Sequence, residues 1–577
     1  MKLVSTKTEQ KSIGLDAAAF LLLVVCFCTA VNAQNVDNSL SGQIDSSDHF
    51  NIAPGQSISA TFPGGRRSPA VGTASIINDI DDVLRLILQN HVDGNRIAAE
   101  NLVESGSNGM LQSLDPHSRF FSAPDFRELL GDHQSEYAGI GVTIYTQSRD
   151  GRSETYILTT AESSPAEKAR LTFGDRIIAV NGKPAAGLDS DEIRHLLRGK
   201  IGTRVRLIIE RNISGVVEMI DFRRANIPIR SVKDAYRIDE STGYIDLTVG
   251  FAYSTPVELK AAVERLSADG IKSLVIDLRS NRGGLVESAV KAAEVFLPRG
   301  AAILSERGRF PDDYRLYSSN NPDPIAIPIV LLVNGETASA AEIFAGALQD
   351  NDRAIIVGER TFGKGLVQEV VGFENGAGMS LTAARYYTPS GRSIQREYSD
   401  GHRYDYFRNA GKGSVIDSPY SASKTLTQRV VYNGNGIAPD VWFHSGPGNE
   451  DSAQNIGDAF LFAKELAAGI GFESLEKRPI SHCGAFDQTD GFTALKEMSS
   501  AYTALITGKI ELAPAAGLSQ NEFVVQARKF FTYALCGRQA SERLDLLADP
   551  IIKEAVKAIP AAAELAEKAD RVRRNVK

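Results

Sequence analysis

Between residues 76 and 114 the apolar positions recur at helical spacing: Ile80, Val83, Leu84 and Ile87, then Ala98, Leu102, Met110 and Leu111. That periodicity predicts an N-terminal helical segment over 76–131. Leu114-Asp115-Pro116-His117-Ser118 interrupts it, because proline cannot continue a helix, and His117 reads as a turn histidine. From 137 to 211 the pattern changes to short strand-like runs, Gly141–Tyr145, Thr155–Thr160, Arg176–Val180 and Arg204–Glu210. Helix starts fall near Pro165 and Asp189, so this stretch predicts a small β-rich unit over 132–215. Strands and helices then alternate. Gly243–Leu247, Ser273–Leu278, Pro328–Val333 and Ala354–Gly358 read as strands; Thr255–Ala268, Leu285–Phe296 and Ala338–Gln349 read as helices. Such alternation predicts an α/β layer fold with largely parallel pairing over 216–445. Residues 446–577 carry Ala, Leu, Glu and Lys at helical spacing and predict a helical C-terminal extension, whereas 34–75 is aperiodic and reads as a flexible linker.

The first residues change the picture. Lys2, Lys7 and Lys11 precede an apolar run from Ala17 to Val31, and Val31-Asn32-Ala33 has small residues where a signal peptidase reads them. The pattern predicts a secretory signal over 1–33, with an uncleaved membrane anchor as the alternative. Cleavage leaves Cys483 and Cys536, which in an oxidising compartment either pair or stay as two buried thiols. At 577 residues, with 43% hydrophobic and 23% charged, the chain is long enough for several globular units. A net charge of −8 speaks against nucleic acid as a partner. No Cys/His cluster has metal-ligand spacing, so neither metal nor cofactor is expected.

Candidate chemistry begins at the apolar run Pro328–Val333, too short for a helix and rich in branched residues. A turn follows, and Ser339 falls at the first turn of the next helix, where backbone N–H groups such as that of Ala340 can hold a developing oxyanion. The competing reading is a serine that merely caps its helix. None of the 8 histidines sits in a triad context, which leaves lysine as the base. Lys364 lies in Thr361-Phe362-Gly363-Lys364-Gly365 among Phe362, Leu366 and Val367. Apolar surroundings without a carboxylate would bring it down from the usual ~10.4 toward neutrality. Spacing alone equally allows a solvated turn lysine.

These residues together resemble the C-terminal processing peptidases, also called tail-specific proteases. The resemblance is carried by Ser339-Ala340-Ala341-Glu342-Ile343-Phe344-Ala345-Gly346-Ala347-Leu348-Gln349-Asp350 and by Thr361 to Gln368, with the serine and lysine 25 residues apart. Leu114–Ser118, Asp277-Leu278-Arg279-Ser280-Asn281-Arg282-Gly283-Gly284, Tyr386–Gln395 and Gly436–Val441 match further family segments, although Arg282 stands where the family has proline. The resemblance covers roughly 76–442. It implies a crotonase-like α/β catalytic core with an inserted or preceding PDZ domain. It also implies an acyl-enzyme mechanism through Ser339 and Lys364, with Gln368 orienting the lysine. Ala340 and either Gly283 or Gly284 would be oxyanion donors, and Asp350 would support the active-site helix.

Gly139-Ile140-Gly141-Val142 resembles a PDZ carboxylate-binding loop, and Ser164–Ala169, Gly174–Ile177 and Val180–Gly182 are further PDZ-like stretches. Arg198 resembles a family turn that links peptide capture to the core. The resemblance further implies protein substrates held by their C-termini, a bacterial periplasm or cell envelope, a lipoprotein adaptor, and a homodimer or higher oligomer built through the terminal helices. Two other classes stand beside this one. A non-catalytic crotonase-fold and PDZ binding protein would use the same folds without the Ser, Lys and Gln set. A hydrolase of small esters or amides would leave the PDZ domain unexplained.

Overall fold

A computed structural model describes residues 73–133, 136–149, 152–228, 230–398, 422–444, 453–468 and 520–576. The expected signal and nearly all of the expected linker lie outside them. The chain forms two compact units, one of 1–133, 230–442 and 558–577, the other of 134–229 and 443–557.

In the first unit a six-stranded sheet runs in the order Asp234–Arg237, Thr242–Asp246, Ser273–Asp277, Ile329–Val333, Ala354–Gly358, Val441–Trp442. Only the first pair is antiparallel; the other four are parallel. Four central strands are buried throughout, as parallel strands covered by crossover helices must be. The helices Thr255–Ala268, Val286–Glu294 and Ala340–Asp350 supply much of the same apolar core, with Phe251, Phe296 and Phe344 packed ring against ring. Elements expected from the apolar pattern therefore form, with ends displaced by one or two residues.

A second, antiparallel sheet has a spine that the apolar pattern left unmarked. Gly378–Tyr387 is its spine, pairing with Leu366–Gly372, Ala302–Gly308 and Arg119–Phe121. Much of that spine is only half-buried, so it lacks the apolar alternation that announces a strand. The turn Asp115–Ser118 enters this sheet: Asp115 accepts from the Ser118 hydroxyl (2.6 Å), which in turn accepts from the Thr382 N–H (3.1 Å).

The second unit holds a sheet ordered Val142–Arg149, Arg152–Thr160, Arg176–Val180, Arg204–Glu210, Val217–Arg223. Its last strand and the short strand Ala225–Pro228, which pairs with Glu136–Gly139, carry the β-rich unit past residue 215. The helix Ser190–Leu197 is capped by Asp189, whose carboxylate accepts from the N–H groups of Asp191 and Glu192. The extension belongs here as well. Helices Ala453–Ala467 and Gln520–Ala548, the latter kinked at Gly537, lay Phe460 and Phe530 on Tyr145 and Tyr156 of the sheet and on Phe173 of the turn before Arg176–Val180. Phe460 has four aromatic neighbours, with ring centroids 4.7 to 5.5 Å away. Cys536 is disulfide-bonded, and the expected partner, Cys483, lies outside the described residues. Among the described residues no helix is long and apolar enough to cross a membrane, and no cluster of His, Cys, Asp or Glu has metal-site geometry.

Candidate active site

The buried strand Ile329–Val333 delivers the chain into a short loop, and Ser339 stands where the loop becomes the helix Ala340–Asp350. Its backbone is strained, with φ 56° and ψ −119°, a region that residues with a Cβ rarely enter. A sharp strand-to-helix turn of this kind is what nucleophile elbows use to present a serine. The Ala340 N–H, first of the helix, finds no acceptor among the described residues.

Gly283 lies against that N–H. A Cβ on Gly283 would come within 2.8 Å of Ala340 N and 2.9 Å of Ser339 Cβ, and its φ is +99°, so no other residue fits this approach. Its own N–H donates to Asn281 Oδ1 at 2.9 Å. Asn281 is fully buried and ties the glycine turn to the serine loop, its carbonyl accepting from the Ala338 N–H at 2.9 Å. Gly284 pairs with Phe251 through the bonds on either side of it: Phe251 N–H donates to the Gly283 carbonyl and Leu285 N–H to the Phe251 carbonyl, each at 2.8 Å. Parallel pairing of this kind turns the N–H of Gly284 away from Phe251. Arg282, in the place of the expected proline, does not open the turn; its guanidinium reaches Glu336 at 3.4 Å across the same two loops.

Lys364 is completely buried, and so is Gln368 on the following strand. Lys364 Nζ donates to Gln368 Oε1 at 2.9 Å. The amide offers the amine a partner without adding a charge, whereas a carboxylate there would hold it as ammonium. This disposes of the solvated-turn reading of Lys364.

Two residues that the sequence reading did not single out join the serine loop to the lysine loop. Glu342, one turn into the helix and fully buried, accepts from the Ser339 N–H (2.8 Å) and the Lys364 N–H (2.9 Å) through Oε2. Its Oε1 accepts from the Gly363 N–H (2.7 Å) and the Thr361 hydroxyl. Burial pushes this carboxyl up to about 7, against the pull of those four bonds. On the carbonyl side, the Tyr386 hydroxyl lies 3.0 Å from the Ser339 carbonyl and within reach of the Lys364 carbonyl. Ser339 and Lys364 are thus each held at the backbone nitrogen by Glu342 and at the backbone oxygen by Tyr386. Glu342 was visible as a helix acid three residues after a serine, the spacing of a capping box.

Asp350 sits at the far end of the active-site helix, roughly 16 Å from Ser339 for 11 residues at 1.5 Å each. It pairs with buried Arg392 at 2.8 Å and accepts from the Ser390 N–H at 3.0 Å. That location fits support and is out of reach of the serine.

In the second unit, Gly139 closes a strand and Gly141 turns with φ +78° against Ser164. The carbonyls of Ile140 and Gly141 accept from the N–H groups of Ala166 (2.9 Å) and Ala161 (2.8 Å), which leaves the loop's donors turned the other way. Val142 begins the strand Val142–Arg149, which lies at the edge of its sheet, beside the helix Ser190–Leu197. Arg198 is the C-cap of that helix. Buried Arg224 fixes the same helix end, donating to the carbonyls of Leu196 and Leu197, both at 2.9 Å.

Residues 241–406 match Peptidase family S41 and residues 157–211 match a PDZ domain. The chain is 38% identical over 304 residues to the carboxy-terminal-processing protease of Bartonella bacilliformis, covering 51% of this chain and 68% of that one. It is 34% identical over 299 residues to the carboxy-terminal processing protease CtpA of Bacillus subtilis, covering 52% and 62%. A solved photosystem II D1 C-terminal processing protease aligns over 65% of this chain and 94% of its own, at 26% identity and a TM-score of 0.34. With its S41 segment and PDZ domain, the chain belongs to the carboxy-terminal processing protease family and is a serine-type peptidase.

Proposed function

We propose that this peptidase is an exported endopeptidase that takes protein C-termini in its PDZ domain and cleaves near them through an acyl-enzyme on Ser339. The observation that carries the reading is the buried Lys364, held by the neutral Gln368 amide while Glu342 and Tyr386 fix its backbone and that of Ser339. Burial favours the amine over the ammonium, so Lys364 accepts the Ser339 hydroxyl proton as the oxygen attacks the scissile carbonyl carbon. The oxyanion is held by the Ala340 N–H together with one from the glycine turn. Gly283 and Gly284 are the two candidates there, and the Gly283 N–H would have to leave Asn281 Oδ1 to serve. Collapse breaks the C–N bond and Lys364 protonates the departing amine; it then deprotonates the water that releases the acyl group.

The PDZ side of the reading rests on two supports. The loop Gly139–Val142 turns its donors outward for a carboxylate, and the edge strand Val142–Arg149 offers unpaired backbone groups to an extended peptide. Arg198, at the end of the helix beside that strand, is the candidate for passing peptide capture on to cleavage. Export rests on the signal pattern in 1–33 and puts the enzyme in a bacterial periplasm or cell envelope, with the lipoprotein adaptor as a partner carried over from the family resemblance. A homodimer is supported by the helix Thr73–Asn90, on which Ile76, Ile77, Ile80 and Val83 are exposed in the single chain. Light scattering should give at least a dimer at micromolar concentration; a monomer would remove that part of the reading.

The central test compares mature wild type with Ser339→Ala and Lys364→Ala on an unfolded reporter with an apolar C-terminus. Both variants should fold and lose at least about 1000-fold in kcat, as removal of a nucleophile or its base does. Activity surviving in either variant takes that residue out of the mechanism.

A further inference from the structure

Every helix ends with carbonyls that have no partner inside the helix. In the active-site helix these ends are buried, so water is no remedy; the Asp352 N–H takes the Gln349 carbonyl locally (3.0 Å), and groups from distant parts of the chain add to it and take the next two. Arg429 Nη2 donates to the Gln349 carbonyl at 2.9 Å and the Leu426 N–H to the Asp350 carbonyl at 2.9 Å. The next carbonyl, that of the C-cap Asn351, accepts from Arg573 Nη2 at 2.7 Å.

Arg573 comes from the last turn of the final helix, Pro550–Val576, 222 residues further along the chain. Ala562, Leu565 and Ala569 are the buried positions that precede it, spaced by three and four, and Arg573 continues the same stripe four residues later. Its side chain is only 18% exposed and is braced by Asp570 at 3.2 Å. A cation at this end also complements the negative pole of the active-site helix.

We propose that Arg573 is a positioning residue for the peptidase reaction: by capping Asn351 it fixes the axial position of the helix whose opposite end carries Ser339 and the Ala340 N–H. A buried helix moves as a rod, so slack at the capped end is delivered to the reacting end with little loss. Of the three caps this one is the most separable. Arg429 also pairs with Asp352 (2.6 Å) and Asp440 (2.7 Å), and the Leu426 cap is a backbone group. Losing Arg573 leaves the Asn351 carbonyl without this donor, while Asp570 is half-exposed and keeps Arg353 nearby, and Asp352 keeps its pairing with Arg429.

The inference rests on Ser339 being the nucleophile, and Ser339→Ala in the otherwise unaltered mature chain tests that separately. The test of Arg573 itself measures kcat and KM for the same reporter, per folded molecule by circular dichroism, in Arg573→Ala, Arg573→Lys and the exposed control Arg574→Ala. The rate of Ser339 labelling by a fluorophosphonate is followed alongside, since it needs no bound substrate. Arg573→Ala should lower kcat about tenfold, less than the ~100-fold of a full 1 Å misplacement. KM should stay within about twofold, labelling should slow in step with kcat, and Arg573→Lys should recover most of the rate. Arg574→Ala should match wild type. Unchanged kcat in Arg573→Ala, a change confined to KM, or an equal loss in Arg574→Ala would each overturn the proposal. Should Arg573→Ala fail to fold, Arg573→Lys against Arg573→Gln decides by the same criteria, and wild-type kcat in both would refute it.

Discussion

Glu342 accepts from three backbone N–H groups and a threonine hydroxyl, none of them cationic, in a place that water does not reach. A carboxyl whose folded value rises to about 7 binds more protons folded than unfolded between roughly pH 4.5 and 7. Its contribution to stability is therefore complete below the unfolded value and is lost as pH rises through about 7. On an inactive Ser339→Ala background, urea unfolding should show about 2–3 kcal/mol more stability at pH 5 than at pH 8 from this group. Glu342→Gln should lack that component. Activity should run the opposite way, because a protonated carboxyl gives up an acceptor that orients Ser339 or Lys364: kcat should fall as pH drops through about 7. Glu342→Gln, which puts an amide donor among four donors, should be impaired at every pH. If the stability gap between wild type and Glu342→Gln stayed flat from pH 5 to 8, this account of the carboxyl would be wrong.

At the scale of elements, the active-site helix is held at both ends, and the two ends make different demands. At its start, Gly283 must bring a bare Cα against Ala340 at a φ that favours glycine. Gly283→Ala should therefore cost at least about 100-fold in kcat, the loss typical of a damaged oxyanion site, with little change in peptide affinity. A change confined to KM would contradict it. At its far end, Asp350 and Arg392 form a buried pair, and removing one partner strands the other. Asp350→Ala should cost about 3–5 kcal/mol by urea unfolding, and adding Arg392→Met should return part of it. Strict additivity of the two would argue against the pairing. This contrast also explains what could be read from the sequence. Ser339, Lys364 and Gln368 fall in a short, fixed stretch, so the family resemblance marks them where spacing alone left a capping serine and a turn lysine open. Tyr386 acts on two carbonyls from a strand of another sheet, and no local pattern marks it. The strands around the serine were legible because burial on both faces makes them continuously apolar. The spine Gly378–Tyr387, half-buried, was not.

For the whole molecule, the C-terminal extension shows how far an apolar stripe can be read. Its helical spacing says that the helices must bury a face, and it is silent on which surface receives them. The receiving surface is the sheet of the PDZ unit and the turn beside it, where Tyr145, Tyr156 and Phe173 close around Phe460. Elsewhere along the contact Gly457 approaches Gln147 so closely that a Cβ would lie 2.7 Å from its amide, and Asn212 donates to the Lys464 carbonyl at 3.1 Å. Tyr145 and Gln147 belong to the edge strand on which the peptide reading depends, so the extension braces that strand from outside the unit's own core. Phe460→Ala removes the central ring and should cost about 3–5 kcal/mol of this unit's stability. Affinity for a tail peptide, followed by fluorescence anisotropy on full-length Ser339→Ala protein, should weaken with it, because a looser edge strand must be ordered before a peptide can pair. The proposed catalytic groups lie in a unit with its own core, so Ser339 labelling by a fluorophosphonate, measured with active serine and no peptide present, should keep its rate in Phe460→Ala. Peptide affinity that stays at the wild-type level while stability falls would make the extension a stabiliser of the fold with no part in capture. Labelling that slows by more than about threefold would mean that the two units do not respond independently to the change.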